Sequence, residues 1–208
     1  MMLTLTTCDF DVTNPGAIVD TQLNQPGSYE AIVNGSGRDL SEAINWIGYT
    51  GAAAAREIHP SGSTGSFGIS VRQQLGILDP DDTNTHWENA QQARWVAEQG
   101  LSRLQENMSD NEFSSSSLVA EQYLWAGYAN RLLGENMCQC VIDGGSPQSY
   151  EVYFERAEEH FTNALAVANA SSDSELINAA LAGRASVRVS LENWSGAVGD
   201  AGAGSDGF

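Results

Sequence analysis

The chain has no lysine. All nine basic residues are arginines, set against 27 acids, and the formal net charge is -18. A field of that sign repels nucleic acid and anionic lipid surfaces, because both bind by exchanging counterions for basic side chains. Nucleic acid is therefore not expected as a partner. The acidity reads as solvation, and a salt-adapted organism would produce the same composition. No run of about 20 apolar residues occurs, so nothing is expected to span a membrane and any membrane contact must come through an anchor.

Cysteine is scarce and odd in number, at three. Cys138 and Cys140 have one residue between them, too close for a relaxed disulfide in most backbone geometries. Both read as small apolar residues at a helix end. No further cysteine stands at zinc spacing, and His59, His86 and His160 are scattered, so no metal and no cofactor is implied. His160, between Glu159 and Phe161, reads as a surface histidine. Gly62, Gly65 and Gly68 lack the preceding strand and following Gly-Lys of a phosphate cradle. There is no Gly-x-Ser-x-Gly elbow, and acid pairs such as Glu158-Glu159 carry little information in so acidic a chain. Catalysis is unsupported, and the chain is read as a non-enzyme.

What the chain does have is helical periodicity, and the expected class is all-α. Residues 9–25, with the turn signal Asn14-Pro15-Gly16, read as an extended arm. Pro26 opens a short helix that ends at Asn34-Gly35. A second helix runs from Asp39 to Ile58, with Gly48 and Gly51 marking close packing against its middle, and His59-Pro60 ends it. Asp79-Pro80 reads as a turn, after which Thr83 or Asn84 caps a helix carrying Trp87, Ala90, Arg94, Ala97, Leu101 and Leu104 on one face. A polar linker over 109–117 leads to a helix that is apolar nearly all round from Leu118 to Leu133, and this is expected to be the centre of the core.

The stretch 118–201 reads as two successive helical pairs, about 118–170 and 174–201, followed by a patternless tail over 202–208. Phe154, Ala157, Phe161, Ala164 and Ala168 recur in the second helix of the first pair. Trp194, Ala197 and Ala201 do so in the second. This spacing resembles the second helix of a tetratricopeptide unit, where small residues let helices approach closely. Ala157 and Ala197 are 40 positions apart, longer than the ~34-residue repeat, so the units are divergent. No capping helix follows the last pair, which suggests truncation and an apolar patch of Leu181, Val187, Val189, Leu191 and Trp194.

Aromatics at loop-flanked helix ends are the other positive feature. Trp46, Tyr49, His86 and Trp87 are candidate ligand contacts, since flat rings take the apolar faces of sugars while nearby Asn or Arg side chains satisfy hydroxyls. The simpler role for Trp87, and more so for Trp95, is helix–helix core.

Several of these features resemble one family. Met1 to Cys8 is similar to the last part of a lipoprotein signal. Cys8-Asp9-Phe10-Asp11-Val12-Thr13-Asn14-Pro15 resembles the mature start of a SusD-like (RagB/SusD) nutrient-uptake lipoprotein. Pro26 to Asn34 resembles that family's first helix, and Ala120 to Cys138 its long helix ending in Leu133-Gly134, with the two tetratricopeptide-like units next in order. The resemblance covers Cys8 to about Ala201 and implies a helical N-terminal region over 26–201. It further implies lipid attachment at Cys8, an outer-membrane location facing outside, a TonB-dependent transporter barrel as partner, and an oligosaccharide or peptide nutrient as ligand. Two other readings stand beside it: a tetratricopeptide-type interaction adaptor without a nutrient ligand, and an extracellular enzyme with an unrecognised site.

Overall fold

The computed structural model describes residues 19–59 and 70–204. Cys8, the first part of the arm, the glycine-spaced loop 61–68 and residues 205–208 lie outside the described residues. Those described form eight α-helices and one two-stranded ribbon, so the all-α expectation holds.

Two 3-10 turns, Asp20–Asn24 and Pro26–Ser28, lead into α1 (Tyr29–Ala54). The end of the arm is thus coiled rather than extended. It is tied down by Arg103, whose guanidinium donates to the Asp20 carboxylate at 2.6 Å and to Asn24 Oδ1 at 2.8 Å.

α1 is one helix where two were expected. Tyr29, Val33, Ser36, Leu40, Ala43 and Thr50 keep a single buried stripe across Asn34-Gly35. Asn34 itself is exposed, and a Cβ on Gly35 would meet nothing. The cost of one helical glycine, about 1 kcal/mol, is smaller than that of interrupting a long buried face. Gly48 and Gly51 also have open space beside them, against expectation. The close approaches fall at Gly37, against the Trp125 ring, and at Gly100, against Gln122 and Ile32.

After α2 (Val71–Gln74), α3 (Pro80–Asn107) begins at the proline itself, three residues earlier than its expected cap. Proline suits a first helical position because its fixed φ is helical and its missing N–H had no intrahelical partner to lose. Ala90, Ala93, Arg94, Ala97, Leu101 and Leu104 are buried along one side of it. The linker then holds a short helix, α4 (Asp110–Phe113), capped by Ser109 Oγ accepting from the Glu112 N–H.

α5 (Ser117–Asn136) is the central helix, packed by α1, α3, α6 and α7. Its Gln122 donates to Ser36 Oγ on α1 and to the Ala97 carbonyl on α3, both at 2.8 Å, locking three helices at one point. A small ribbon pairs Gln139–Cys140 with Gln148–Ser149 in antiparallel register before α6 (Glu151–Ser171). α7 (Ser174–Ser190) and α8 (Trp194–Ala203) follow, each packing on its predecessor. Asp173 and Asn193 cap them, accepting from the N–H groups of Leu176 and Gly196. Leu181 and Val187 are buried rather than part of an exposed patch, because the inner side of α7 faces α6. Val189, Trp194 and Val198 are the exposed apolar residues there.

Candidate ligand-binding cleft

The last turns of α1, the first turns of α3 and the end of α5 enclose a cleft of about 480 Å³. Ile47, Leu78 and Ala54 give it apolar wall, Trp87 an aromatic one, and Asn84 and Asn136 offer amides. None of its described lining residues is Asp, Glu or Arg.

His86 and Trp87 both line the cleft. His86 is buried, and its Nε2 is hydrogen-bonded to Thr50 Oγ1 on α1, which fixes the ring. Trp46 and Tyr49 do not line the cleft. Trp46 meets His86 edge-to-face at 5.8 Å and Tyr49 at 6.5 Å, so these rings hold α1 against α3 and set the position of His86. Asn84, Asn136, Met137 and Cys138 carry no ligand-site signal in the sequence; only the fold brings the start of α3 to the end of α5. Cys138 is exposed at this wall, contrary to its expected packing role, whereas Cys140 is buried as expected. Burial pushes the Cys140 thiol pKa up, against an opposing hydrogen bond with Tyr153, so it stays a neutral thiol.

A second cavity of about 490 Å³ shares Trp87 with the first and continues along α3. Gln91, Arg94 and Trp95 line it from α3, and Val141, Asp143 and Gly144 from the ribbon's connection. Trp95 is not core; it is 51% exposed. Its position one residue beyond Arg94 takes it off the buried stripe, and that offset was visible in the sequence.

Arg94 is buried to its head rather than by its stem alone, with 3% of its side chain exposed. It donates to Gln91 Oε1 at 3.0 Å, to Glu98 Oε2 at 2.7 Å and to Asp143 Oδ1 at 2.7 Å. Burial opposes its charge, but pairing with Asp143 and Glu98 raises its pKa above the ordinary value. Glu98 is the hub. Its Oε1 accepts from Asn130 Nδ2 at 2.9 Å and from Arg156 Nη2 at 2.6 Å, with His160 Nε2 at 3.5 Å. Burial by itself would raise the Glu98 pKa. The hydrogen bonds from His160, Asn130 and Arg156 and the Arg156 charge outweigh it and bring the value to about 2. His160 is therefore no surface residue: it faces Glu98 with 16% of its side chain exposed. Compared with family models, with curated proteins and with solved structures, the chain finds no match.

Proposed function

We propose that this chain is a SusD-like, extracellular nutrient-binding subunit, lipid-anchored through Cys8 to the outer membrane and working with a TonB-dependent transporter. The nutrient sits in the cleft between α1, α3 and α5. The observation that carries the reading is a preformed cleft, uncharged along its described lining, with Asn84, His86 and Trp87 lining it from α3 and Asn136 from the end of α5. A ring supplies apolar contact, amides supply directed hydrogen bonds, and a neutral polar nutrient needs both.

The helical pairs support the same reading. In α6 the ring of Phe161 meets glycines of both α5 and α7, Gly127 and Gly183, and Phe154 lies over Gly134. Aromatic-on-glycine contact within the first pair, carried on to the second by Phe161 at Gly183, is one way divergent tetratricopeptide-like hairpins would stack. The adaptor reading draws its support from a different surface, the exposed Trp194 and Val198 of α8.

Calorimetric titration of the purified chain with neutral oligosaccharides and with peptides separates the two. Nutrient binding should be lost in Trp87→Ala and weakened in Asn84→Ala, while Trp194→Ala leaves it unchanged. Binding that depends on Trp194 and not on Trp87 moves the function to the hairpins. Replacing Cys8 by serine in the native membrane should release the protein, and unchanged membrane fractionation would count against the lipoprotein.

A further inference from the structure

The segment that leads through α2 to α3 is built inside out. Gln73 on α2 is buried, at 5% exposure, and Gln74 donates inward to the Ile58 carbonyl just beyond α1 at 3.0 Å. Val71 and Leu75, 64% and 61% exposed, stand in water instead, and so do Ile77 and Leu78. Four large aliphatic side chains thus lie outward within eight residues, while the amides between them turn to the protein. Water alone favours the reverse arrangement, because exposed apolar surface costs free energy and amides are readily hydrated.

The arrangement is fixed by its own bonds. Arg72 donates to both carboxylate oxygens of Asp79, from Nε at 3.1 Å and from Nη2 at 3.0 Å, and so closes residues 72–79 into a loop. Within it the Leu75 and Ile77 N–H groups both donate to the Arg72 carbonyl at 2.9 Å, and Gly76 takes the positive φ, 73°, that the turn requires. The aliphatic ridge is formed before anything covers it, which lowers the ordering cost of contact. The same clasp neutralises the only two charges between Ser70 and Asp79.

Charge and composition set what can cover the ridge. The chain carries 27 acids, yet none falls from Ile58 to Leu78, the longest acid-free stretch in the sequence. A molecule of net charge -18 therefore offers an electrically neutral edge here. The ridge is purely aliphatic, whereas contacts between proteins are anchored by aromatics and arginine and make little use of Leu and Val at their hot spots. From these features we infer that the α2–α3 loop inserts Val71, Leu75, Ile77 and Leu78 into the interface of a neutral lipid bilayer. The source of this contact is apolar insertion and not counterion exchange, so the acidity of the chain does not oppose it. It needs no lipid on Cys8 and goes beyond the anchoring proposed above.

The test is co-flotation of the purified, unlipidated chain with phosphatidylcholine vesicles over the millimolar lipid range, beside a series of equimolar phosphatidylcholine and phosphatidylglycerol. The chain should float with the neutral vesicles. Leu75→Ser and Ile77→Ser should each lower its partition coefficient about tenfold, since one large aliphatic side chain leaves the lipid. Leu78 is left in place because it also lines the cleft. Phosphatidylglycerol should weaken partition at low salt, and added salt should restore it. Helical circular dichroism of both variants should match the parent, because neither side chain is buried. No flotation with neutral lipid overturns the inference, as does flotation that both substitutions together leave unchanged or that Trp194→Ser abolishes instead. If the substitutions change the sedimentation of the chain by itself and vesicle binding is absent, the ridge is the contact for a second copy and not for lipid. Membrane fractionation of Cys8→Ser tests the anchor separately, so either can fail alone.

Discussion

The ring of Phe161 on α6 fills the space that a side chain at Gly183 on α7 would need, and a Cβ at Gly127 on α5 would lie 2.7 Å from the same ring. Tyr128 packs edge-to-face on it at 4.9 Å. Three helices therefore meet on one aromatic, with no slack. Gly183→Ala should destabilise the chain by about 2–3 kcal/mol through overpacking, although alanine is the better helix former. Adding Phe161→Leu to that variant should recover part of the loss, since the two sites share one volume. Urea unfolding of the single and double variants measures both. Equal stability of Gly183→Ala and the parent would mean that the helices separate freely.

Glu98 predicts an acid limb. Its pKa is about 2 in the folded chain, below the ordinary 4.5, so the folded state gains from its ionisation. That contribution is fully present above about pH 4.5, shrinks as pH falls toward 2, and is worth about 3 kcal/mol. Glu98→Gln should lower stability at pH 7 by a comparable amount, because Arg94 and Arg156 lose their common counter-charge. Its stability should then fall less than the parent's between about pH 5 and pH 2. Thermal melts across that range decide the point: parallel curves for variant and parent would remove Glu98 from the acid response.

The helices were legible in the sequence where their apolar stripes are long and regular, and α5, with no polar face, announced its own central place. Boundaries were less so. Asn34-Gly35 and Asp79-Pro80 are strong local stop or turn signals, yet a continuous buried stripe overrode the first and a helical N1 position absorbed the second. His86 and Trp87, expected from the sequence as ligand contacts, both line the cleft, although Trp87 also packs on the core and His86 is buried. Asn136 and Cys138 were not so expected, since their role arises from the return of α5 to the start of α3, about 50 residues later in the chain. The Glu98 hub was hidden for the same reason. An arginine on an apolar stripe reads equally as a snorkelling stem or a buried ion, and the distant partner that decides it, Asp143, is 49 residues away in sequence.

α8 is held by charge more than by apolar burial. Among its residues only Ala197 and Asp200 are buried. The Asp200 carboxylate, 7% exposed, accepts from Arg184 at 2.7 and 2.8 Å and from Arg188 at 2.8 Å. Asp200→Asn should therefore loosen α8 without disturbing the centre of the fold. Amide exchange over 194–203 should accelerate at least tenfold, about 1.4 kcal/mol of local stability, while α5 and α6 keep their protection. Acceleration spread evenly over all helices would make Asp200 a global support instead.

The outer side of α8 carries the last prediction. Trp194 is 61% exposed and Val198, one turn later on the same face, 74% exposed, with Val189 of α7 at 46%. An apolar face of this kind promotes association when it grows beyond a few hundred Å². The net charge of -18 opposes contact between copies, but salt screens that repulsion beyond ~10 Å at 0.1 M. Self-association should therefore increase from low to high salt, the reverse of what a salt-bridged interface would do. Trp194→Ser should keep the chain monomeric at the highest salt, because it removes most of the exposed aromatic area while leaving Ala197 and Asp200 in place. Sedimentation velocity of parent and variant across the salt range reads both effects. A sharp monomer at every salt concentration would show that α8 offers too little continuous apolar surface to bind a second copy.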